Sequence, residues 1–206
     1  MNSIKELLEK YNLIEEQIIQ RLNEFKNIPE NKYFYELCYC ICTPQSKAEN
    51  ALIVQHELEK SDFLNKDFNP IKILENKSNY IRFHNQKSKR LMDLKNNFHK
   101  VMEIINSNSS VYEKRNLICN EINGIGMKES SHFLRNIGFN GLAILDRHIL
   151  NNLVQLKVFN EIPKINSQKK YIAVEKIFLE FSYQINIPID ELDLLFWSNG
   201  TGIILK

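Results

Sequence analysis

The stretch from Asn123 to Lys128, Asn-Gly-Ile-Gly-Met-Lys, constrains the fold of this chain more than any other. Apolar residues at helical spacing precede it in 116–122, and a second helix-like stretch follows it up to Asn136. Two helices joined by a Gly-x-Gly turn form the pattern of a helix-hairpin-helix. Gly124 and Gly126 can adopt positive φ angles without a Cβ clash, and they leave their backbone N–H groups accessible. At the positive end of the second helix, these groups would bind a phosphate.

A second polar segment begins at Asp146, eighteen residues beyond Lys128, and reads Asp-Arg-His-Ile-Leu. An aspartate directly before a helical pattern is typical of an N-cap, since its carboxylate accepts hydrogen bonds from the first turn. The segment therefore predicts another helix that starts just after Asp146.

Together, the two segments resemble the motifs of the helix-hairpin-helix superfamily of DNA base-excision glycosylases. The hairpin of that family reads roughly Leu-Pro-Gly-Val/Ile-Gly-x-Lys-Thr/Ala-Ala, and 122–130 here read Ile-Asn-Gly-Ile-Gly-Met-Lys-Glu-Ser. The family's second motif reads Val-Asp-Thr/Arg-His-Val/Ile-x-Arg, and 145–151 read Leu-Asp-Arg-His-Ile-Leu-Asn. Asn123 replaces the family's proline and Asn151 its arginine, changes that we expect to affect DNA contacts more than chemistry.

Over nearly its whole length, the chain is similar to the archaeal second type of 8-oxoguanine DNA glycosylase/lyase within that superfamily. The segments that carry this narrower resemblance are 128–136, 146–150 and the ending with Trp197, Thr201-Gly202 and Lys206. The resemblance implies an all-α fold of two helical lobes with a DNA-binding cleft between them.

One predicted lobe contains residues 1–31 and 138–206. The other contains residues 32–137 and ends in the helix-hairpin-helix at about 112–136. The implied function is removal of 8-oxoguanine from DNA through a lysine Schiff base, followed by strand cleavage at the abasic site by β-elimination. The implied partner is double-stranded DNA that contains 8-oxoguanine or an abasic site, and no cofactor is expected. We expect a monomer in the cytoplasm, associated with the nucleoid, with no membrane association.

The resemblance assigns catalytic roles to Lys128 and Asp146. A neutral lysine amine attacks C1′ of the nucleotide and remains bound as a Schiff base. The start of a helix suits this role, because its positive end favours a neutral amine. A fixed carboxylate stabilises the oxocarbenium-like charge on the sugar. The structural interpretations, an exposed lysine at a helix start and an N-cap aspartate, stay open beside these roles.

The remaining predicted site residues contact DNA or the extruded base. Phe83 and Trp197 are expected to stack on either side of the base. The Lys206 side chain or the terminal carboxylate is expected to contribute to lesion recognition. Gln45, Gly124, Gly126 and His148 are expected to contact DNA, Gln45 by filling the gap that the base leaves. Each has a structural alternative: core aromatics, a tail that only seals the core, plain turns and a structural histidine.

The composition fits a helical, globular protein but does not by itself indicate DNA binding. Among 206 residues, 43% are hydrophobic, with only 6 Gly and 5 Pro. The formal net charge is only +2, so a basic surface would have to come from clustering. The stretches 87–90 and 157–176 are candidates, although solvated helix faces explain both.

The cysteines argue against a metal centre. Cys38, Cys40 and Cys42 alternate, and neither they nor Cys119 form a Cys-x2-Cys pair. We expect four buried thiols in a reducing compartment. The C-terminus lacks the four spaced cysteines of related glycosylases with an iron–sulfur cluster, so no cluster is expected.

The spacing of apolar residues and the positions of helix-breaking and capping residues predict a series of helices. Thr43 or Ser46 is predicted to cap the third helix, and Asn140-Gly141 is predicted to form a tight turn. The predicted helices cover about 3–25, 33–42, 47–58, 71–75, 85–99, 101–105, 111–122, 124–135, 146–156, 167–181 and 191–197.

Two other functions remain open from the sequence. One is a glycosylase for another oxidised base, and the other is a non-catalytic helix-hairpin-helix module that binds only the DNA backbone. The pair Lys128 and Asp146 favours an enzyme over a binding module.

Overall fold

A computed structural model describes residues 3–202 and residue 204, and this part of the chain is helical without a β-strand. The all-α prediction is therefore confirmed. The helices are α1 Ile4–Lys26, α2 Tyr33–Cys42, α3 Ala48–Lys60, α4 Ile71–Leu74, α5 His84–Asn106, α6 Val111–Glu121, α7 Met127–Asn136, α8 Arg147–Gln155, α9 Gln168–Ile185 and α10 Ile189–Thr201. Among the helices of the described residues, none has the length and apolar character needed to cross a membrane.

The chain forms two compact units, the first of which joins Met1–Asn27 to Leu134–Lys206. In this unit α10 packs against α1, α8 and α9. The rings of Phe178 on α9 and Phe196 on α10 are stacked 5.9 Å apart at the centre of its core. This packing fixes α10, the helix that carries Trp197.

The second unit contains Ile28–Phe133 and is built around α2. Nine of the ten residues of α2 are buried, and the helix packs against α3 and α5. Burial on all sides explains why this short helix is apolar almost throughout. Cys38, Cys40 and Cys42 lie in this core as predicted, whereas Cys119 is only partly buried, which corrects the expectation of four buried thiols.

Helix α5 differs most from its prediction, because 85–99 and 101–105 form one continuous helix. Val101, Ile104 and Ile105 extend the buried face that begins with Leu91 and Leu94. Neither glycine nor proline interrupts the sequence between them, so the spacing of the apolar face continues without a break.

The chain passes from one unit to the other between residues 27 and 28 and again between residues 133 and 134, so the second boundary falls inside α7. The resemblance predicts the boundaries between the lobes at other places, between residues 31 and 32 and between residues 137 and 138. Those bounds, and a cleft between the lobes, stay predictions.

Candidate functional site

The hairpin between α6 and α7 requires glycine at Gly124 for two reasons. Its φ is +85°, in the left-handed region that favours glycine. A Cβ at this position would also lie 2.3 Å from Cδ of Arg90, whose side chain crosses the turn from α5. On either side of the turn, Ile122 and Ile125 are buried and anchor it to the core.

Gly126 does not have a positive φ, so the conformational freedom of glycine is used at Gly124 but not at Gly126. Gly126 instead precedes α7 in the position of an N-cap, and its carbonyl accepts the N–H of Ser130 at 2.9 Å. Its own N–H donates to Oε2 of Glu129 at 3.2 Å. A glutamate three residues into a helix commonly reaches back in this way. A Cβ on Gly126 would lie 3.0 Å from the same oxygen.

Lys128 is the second residue of α7 and lies at the predicted place on the hairpin. Its side chain is 24% exposed, and its Nζ lies 3.9 Å from Oε1 of Glu129. Glu129 thus contacts both the hairpin amide of Gly126 and the amine of Lys128.

Lys87 on α5 is a buried residue of this region. From the sequence it was predicted only as part of the basic stretch 87–90. Its side chain is 2% exposed, and its Nζ donates to the carbonyls of Cys42 at 2.7 Å and Pro44 at 2.6 Å and to Oγ of Ser46 at 3.2 Å. Burial lowers the pKa of Lys87 from 10.5 to about 8. The alternative of a solvated helix face is therefore wrong at Lys87. Its spacing from Leu91 and Leu94 places it on the buried face, a signal that the sequence contained.

The turn between α2 and α3 carries Gln45, which is exposed and has a φ of 57°. The prediction that Thr43 or Ser46 caps α3 is wrong, because the N-cap is Lys47 and no side chain bonds to the helix start. The hydroxyl of Thr43 donates to the carbonyl of Cys40 at 3.1 Å. Oγ of Ser46 accepts the backbone N–H of Arg82 at 3.0 Å, a contact between residues distant in sequence.

Phe83 precedes α5 with a φ of 59° and is 51% exposed, which excludes a core aromatic at this position. The guanidinium of Arg82 lies 5.4 Å from its ring centroid, within range of a cation–π interaction. The second unit therefore places one exposed aromatic ring beside a cation.

The first unit contains Asp146, His148 and Trp197. Asp146 is the N-cap of α8, and its Oδ1 accepts the N–H of Ile149 at 2.9 Å. The rings of His148 and Trp197 meet edge to face with centroids 6.4 Å apart, and both residues are partly exposed. The predicted cap is confirmed, and it gives the carboxylate a fixed orientation. Lys206 lies outside the described residues.

Comparisons with known proteins agree with the resemblance seen in the motifs. An 8-oxoguanine DNA glycosylase/AP lyase of Fusobacterium nucleatum subsp. nucleatum is 44% identical over 199 residues, covering 91% of this chain and 90% of the relative. A crystal structure of the Methanocaldococcus jannaschii 8-oxoguanine glycosylase/lyase, in complex with a 15mer DNA containing 8-oxoguanine, is 34% identical with a TM-score of 0.86, covering 98% of this chain and 99% of that one. The structure of a Thermotoga maritima 8-oxoguanine DNA glycosylase is 28% identical with a TM-score of 0.86, covering 98% of each chain.

A family model described as 8-oxoguanine DNA glycosylase matches residues 18–187, a span that includes the hairpin and the segment that begins at Asp146. The predicted family is thus confirmed, with both bacterial and archaeal relatives. Since the match spans most of the sequence, the chain belongs to the 8-oxoguanine DNA glycosylase family.

Proposed function

We propose that this chain removes 8-oxoguanine from double-stranded DNA and then cleaves the strand at the resulting abasic site. Membership of the family supports the first activity. Relatives named 8-oxoguanine DNA glycosylase/AP lyase support both activities, and the M. jannaschii complex supports DNA as the partner. The enzyme acts as a monomer on this proposal.

Lys128 is the nucleophile on this proposal. Its Nζ attacks C1′ while the bond from C1′ to the base breaks and the base leaves with a proton. The bond from C1′ to O4′ then breaks and O4′ takes up a proton, which opens the sugar ring and leaves a protonated imine between Nζ and C1′. This imine allows β-elimination, in which a proton leaves C2′ and the bond from C3′ to its oxygen breaks. The single observation that carries the assignment is the place of Lys128, largely shielded from solvent, at the start of α7 directly after the Gly-x-Gly hairpin.

Asp146 stabilises the positive charge that develops on the sugar. A carboxylate is most effective in this role when its orientation is set before the reaction. The cap bond from Ile149 to Oδ1 supplies that orientation, and we assign the charge stabilisation to Oδ2.

Phe83 and Trp197 are the aromatic residues that we assign to stacking on the extruded base. Both side chains are exposed enough to contact a ligand. Gln45 occupies the gap in the duplex, Gly124 and Gly126 approach the phosphate backbone, and His148 adds a DNA contact. Lys206 contributes to recognition of the lesion, which differs from guanine in carrying O8 and an N7–H donor.

The experiment that tests this function is borohydride trapping of the protein on duplexes that each carry one lesion. We expect trapping and strand cleavage on 8-oxoguanine and on a preformed abasic site, with little product on an oxidised pyrimidine or undamaged duplex. Preferential action on the pyrimidine would favour a glycosylase for another base. Binding without any product would favour a module that holds only the backbone.

A further inference from the structure

Gln45 and Phe83 combine a left-handed backbone with an exposed side chain, as do Lys157 and Asn186, which follow the ends of α8 and α9. The φ angles of Gln45 and Phe83 are 57° and 59°, in the left-handed region that residues with a Cβ rarely adopt. Both side chains are exposed, so packing of the side chains themselves does not hold these conformations. Such strained residues persist only where the surrounding structure fixes the backbone.

The hydroxyl of Ser46 joins the two turns, and the side chain of Lys87 holds that hydroxyl. Ser46 directly follows Gln45, and its Oγ accepts the N–H of Arg82, the residue before Phe83, at 3.0 Å. Lys87 lies one helical turn beyond Phe83, and its backbone N–H donates to the carbonyl of Phe83 at 2.9 Å.

The side chain of Lys87 returns to the turn of Gln45. Its Nζ donates to the carbonyls of Cys42 and Pro44, at 2.7 Å and 2.6 Å, and to Oγ of Ser46, at 3.2 Å. An ammonium has three donors, which matches these three acceptors. Ser46 is the common partner, since it receives a hydrogen bond from each side.

We infer that Lys87 and Ser46 are positioning residues that hold Gln45 and Phe83 at a fixed separation. This inference rests on the proposed function, in which Gln45 fills the gap in the duplex and Phe83 stacks on the base that has left it. Because the two turns are joined, Phe83 stacks on the extruded base at the same time as Gln45 fills the gap in the duplex. Lys87 touches neither substrate nor reacting atoms and acts through the two turns.

The charged and titratable groups that face Lys87 act in both directions, so the ammonium is held by its carbonyl and hydroxyl acceptors. These groups are the thiol of Cys42 on α2, Arg90 on the same helix, and Lys128 and Glu129 on α7. Burial lowers the pKa of Lys87 to about 8, so most molecules retain all three donors at neutral pH. Burying the charged amine of Lys87 costs free energy. In return, the ammonium keeps a fixed geometry with its three acceptors, which a mobile water molecule would not do.

The test uses Lys87→Met, which keeps the length and apolar stem of the side chain but removes its donors. We expect excision of 8-oxoguanine under single-turnover conditions to fall by about a hundredfold, the effect of a displacement on the order of 1 Å in a positioned group. Borohydride trapping at a preformed abasic site, which has no base to extrude, should change far less. Fluorescence of 2-aminopurine next to the lesion should show slower base extrusion.

The matched control is Lys114→Met. Lys114 is also a buried lysine of the second unit, and its Nζ donates to the carbonyls of Ile104 and Ile105 at 3.1 Å and 2.7 Å. This variant loses the same kind of interaction without touching either turn, so its ratio of excision to trapping should equal that of the unaltered protein.

Ser46→Ala supplies a milder variant in case Lys87→Met does not fold. It should lower excision selectively, and the double variant should lose less than the sum of the two single losses in free energy, because both residues act through one contact. Equal losses of excision and abasic-site trapping would overturn the inference, as would additive effects or the same selectivity in Lys114→Met. Failure of the unaltered protein to excise 8-oxoguanine would instead refute the proposed function.

Discussion

At the scale of single residues, Glu129 has a position that the motif does not specify. Its carboxylate contacts the N–H of Gly126 through Oε2 and lies 3.9 Å from the amine of Lys128 through Oε1. The carboxylate of Glu129 therefore occupies the first turn of α7, where, on our proposal, a DNA phosphate approaches. Approach of the phosphate requires this side chain to rotate away or to share the amides.

Replacing Asp146 with asparagine separates its two roles. Asparagine is as good an N-cap as aspartate, so Asp146→Asn should reduce the free energy of unfolding by less than about 1 kcal/mol. Excision should fall by orders of magnitude, because the charge that faces the sugar is lost. The measurement pairs single-turnover excision with chemical denaturation.

Ser167→Ala is the control for that prediction. Ser167 caps α9 through its bond from the N–H of Lys170 at 3.2 Å, and the change removes this cap outright. It should lower stability by about 1 kcal/mol and leave excision unchanged. Large destabilisation of Asp146→Asn with undiminished excision per folded molecule would leave only the cap role.

Lys87 should make stability depend on pH in a defined direction. Its pKa is about 8 in the folded protein and 10.5 ordinarily, so between these values the unfolded chain binds a proton that the folded chain lacks. The unfolding free energy therefore rises with pH across this window by about 1.4 kcal/mol per unit, or about 3 kcal/mol in all. Below pH 8 the cost of the buried charge is fully present.

The measurement is the difference in unfolding free energy between the unaltered protein and Lys87→Met, taken from pH 7 to pH 10. Subtraction removes the other groups that titrate in this range. A difference that stays constant with pH would show that the buried amine has an ordinary pKa.

At the scale of elements, the hairpin depends on a contact with α5. Gly124 combines a φ of +85° with the close approach of Arg90, whereas Gly141 has a φ of +86° and open space around it. An alanine at Gly141 therefore tests backbone strain alone, whereas an alanine at Gly124 tests the same strain together with the clash against Arg90.

Gly124→Ala should destabilise the protein more than Gly141→Ala and should weaken binding to any duplex, damaged or not. Both changes strain the backbone, but only the first displaces Arg90 from the turn. Gly126→Ala should weaken binding with little loss of stability, because the far end of Glu129 can move away from the new Cβ. Fluorescence anisotropy on undamaged duplex at several salt concentrations measures the binding. Equal affinities for all three variants would show that the hairpin does not hold the backbone.

The helices themselves were largely predictable, while the contacts between them were not. Local spacing placed α2 and the cap at Asp146, because those signals lie close together in the sequence. The same local signals predicted Thr43 or Ser46 as a cap, but Ser46 instead binds residues distant in sequence. Its partners, Arg82 and Lys87, are 36 and 41 residues away, and no local pattern indicates a bond over that separation.

At the scale of the whole molecule, the charge of +2 does not reveal a DNA-binding protein, but the arrangement of the charges supports one. Arg90 and Lys128 are both among the groups that act electrostatically on Lys87, so three cations of the second unit cluster around the hairpin. The family was predictable because its motifs are short and continuous in sequence. The role of Lys206 stays a prediction, since this residue lies outside the described part of the chain.

Borohydride trapping of Lys128→Gln tests whether Lys128 forms the covalent intermediate with DNA. Lys100→Gln is the matched control, since Lys100 also belongs to the second unit and its Nζ lies 3.7 Å from Oε2 of Glu121. We predict that Lys128→Gln binds duplex DNA but yields no trapped adduct on either 8-oxoguanine or an abasic site, while Lys100→Gln yields as much adduct as the unaltered protein. An adduct that persists in Lys128→Gln would assign the nucleophile to another residue and contradict the account.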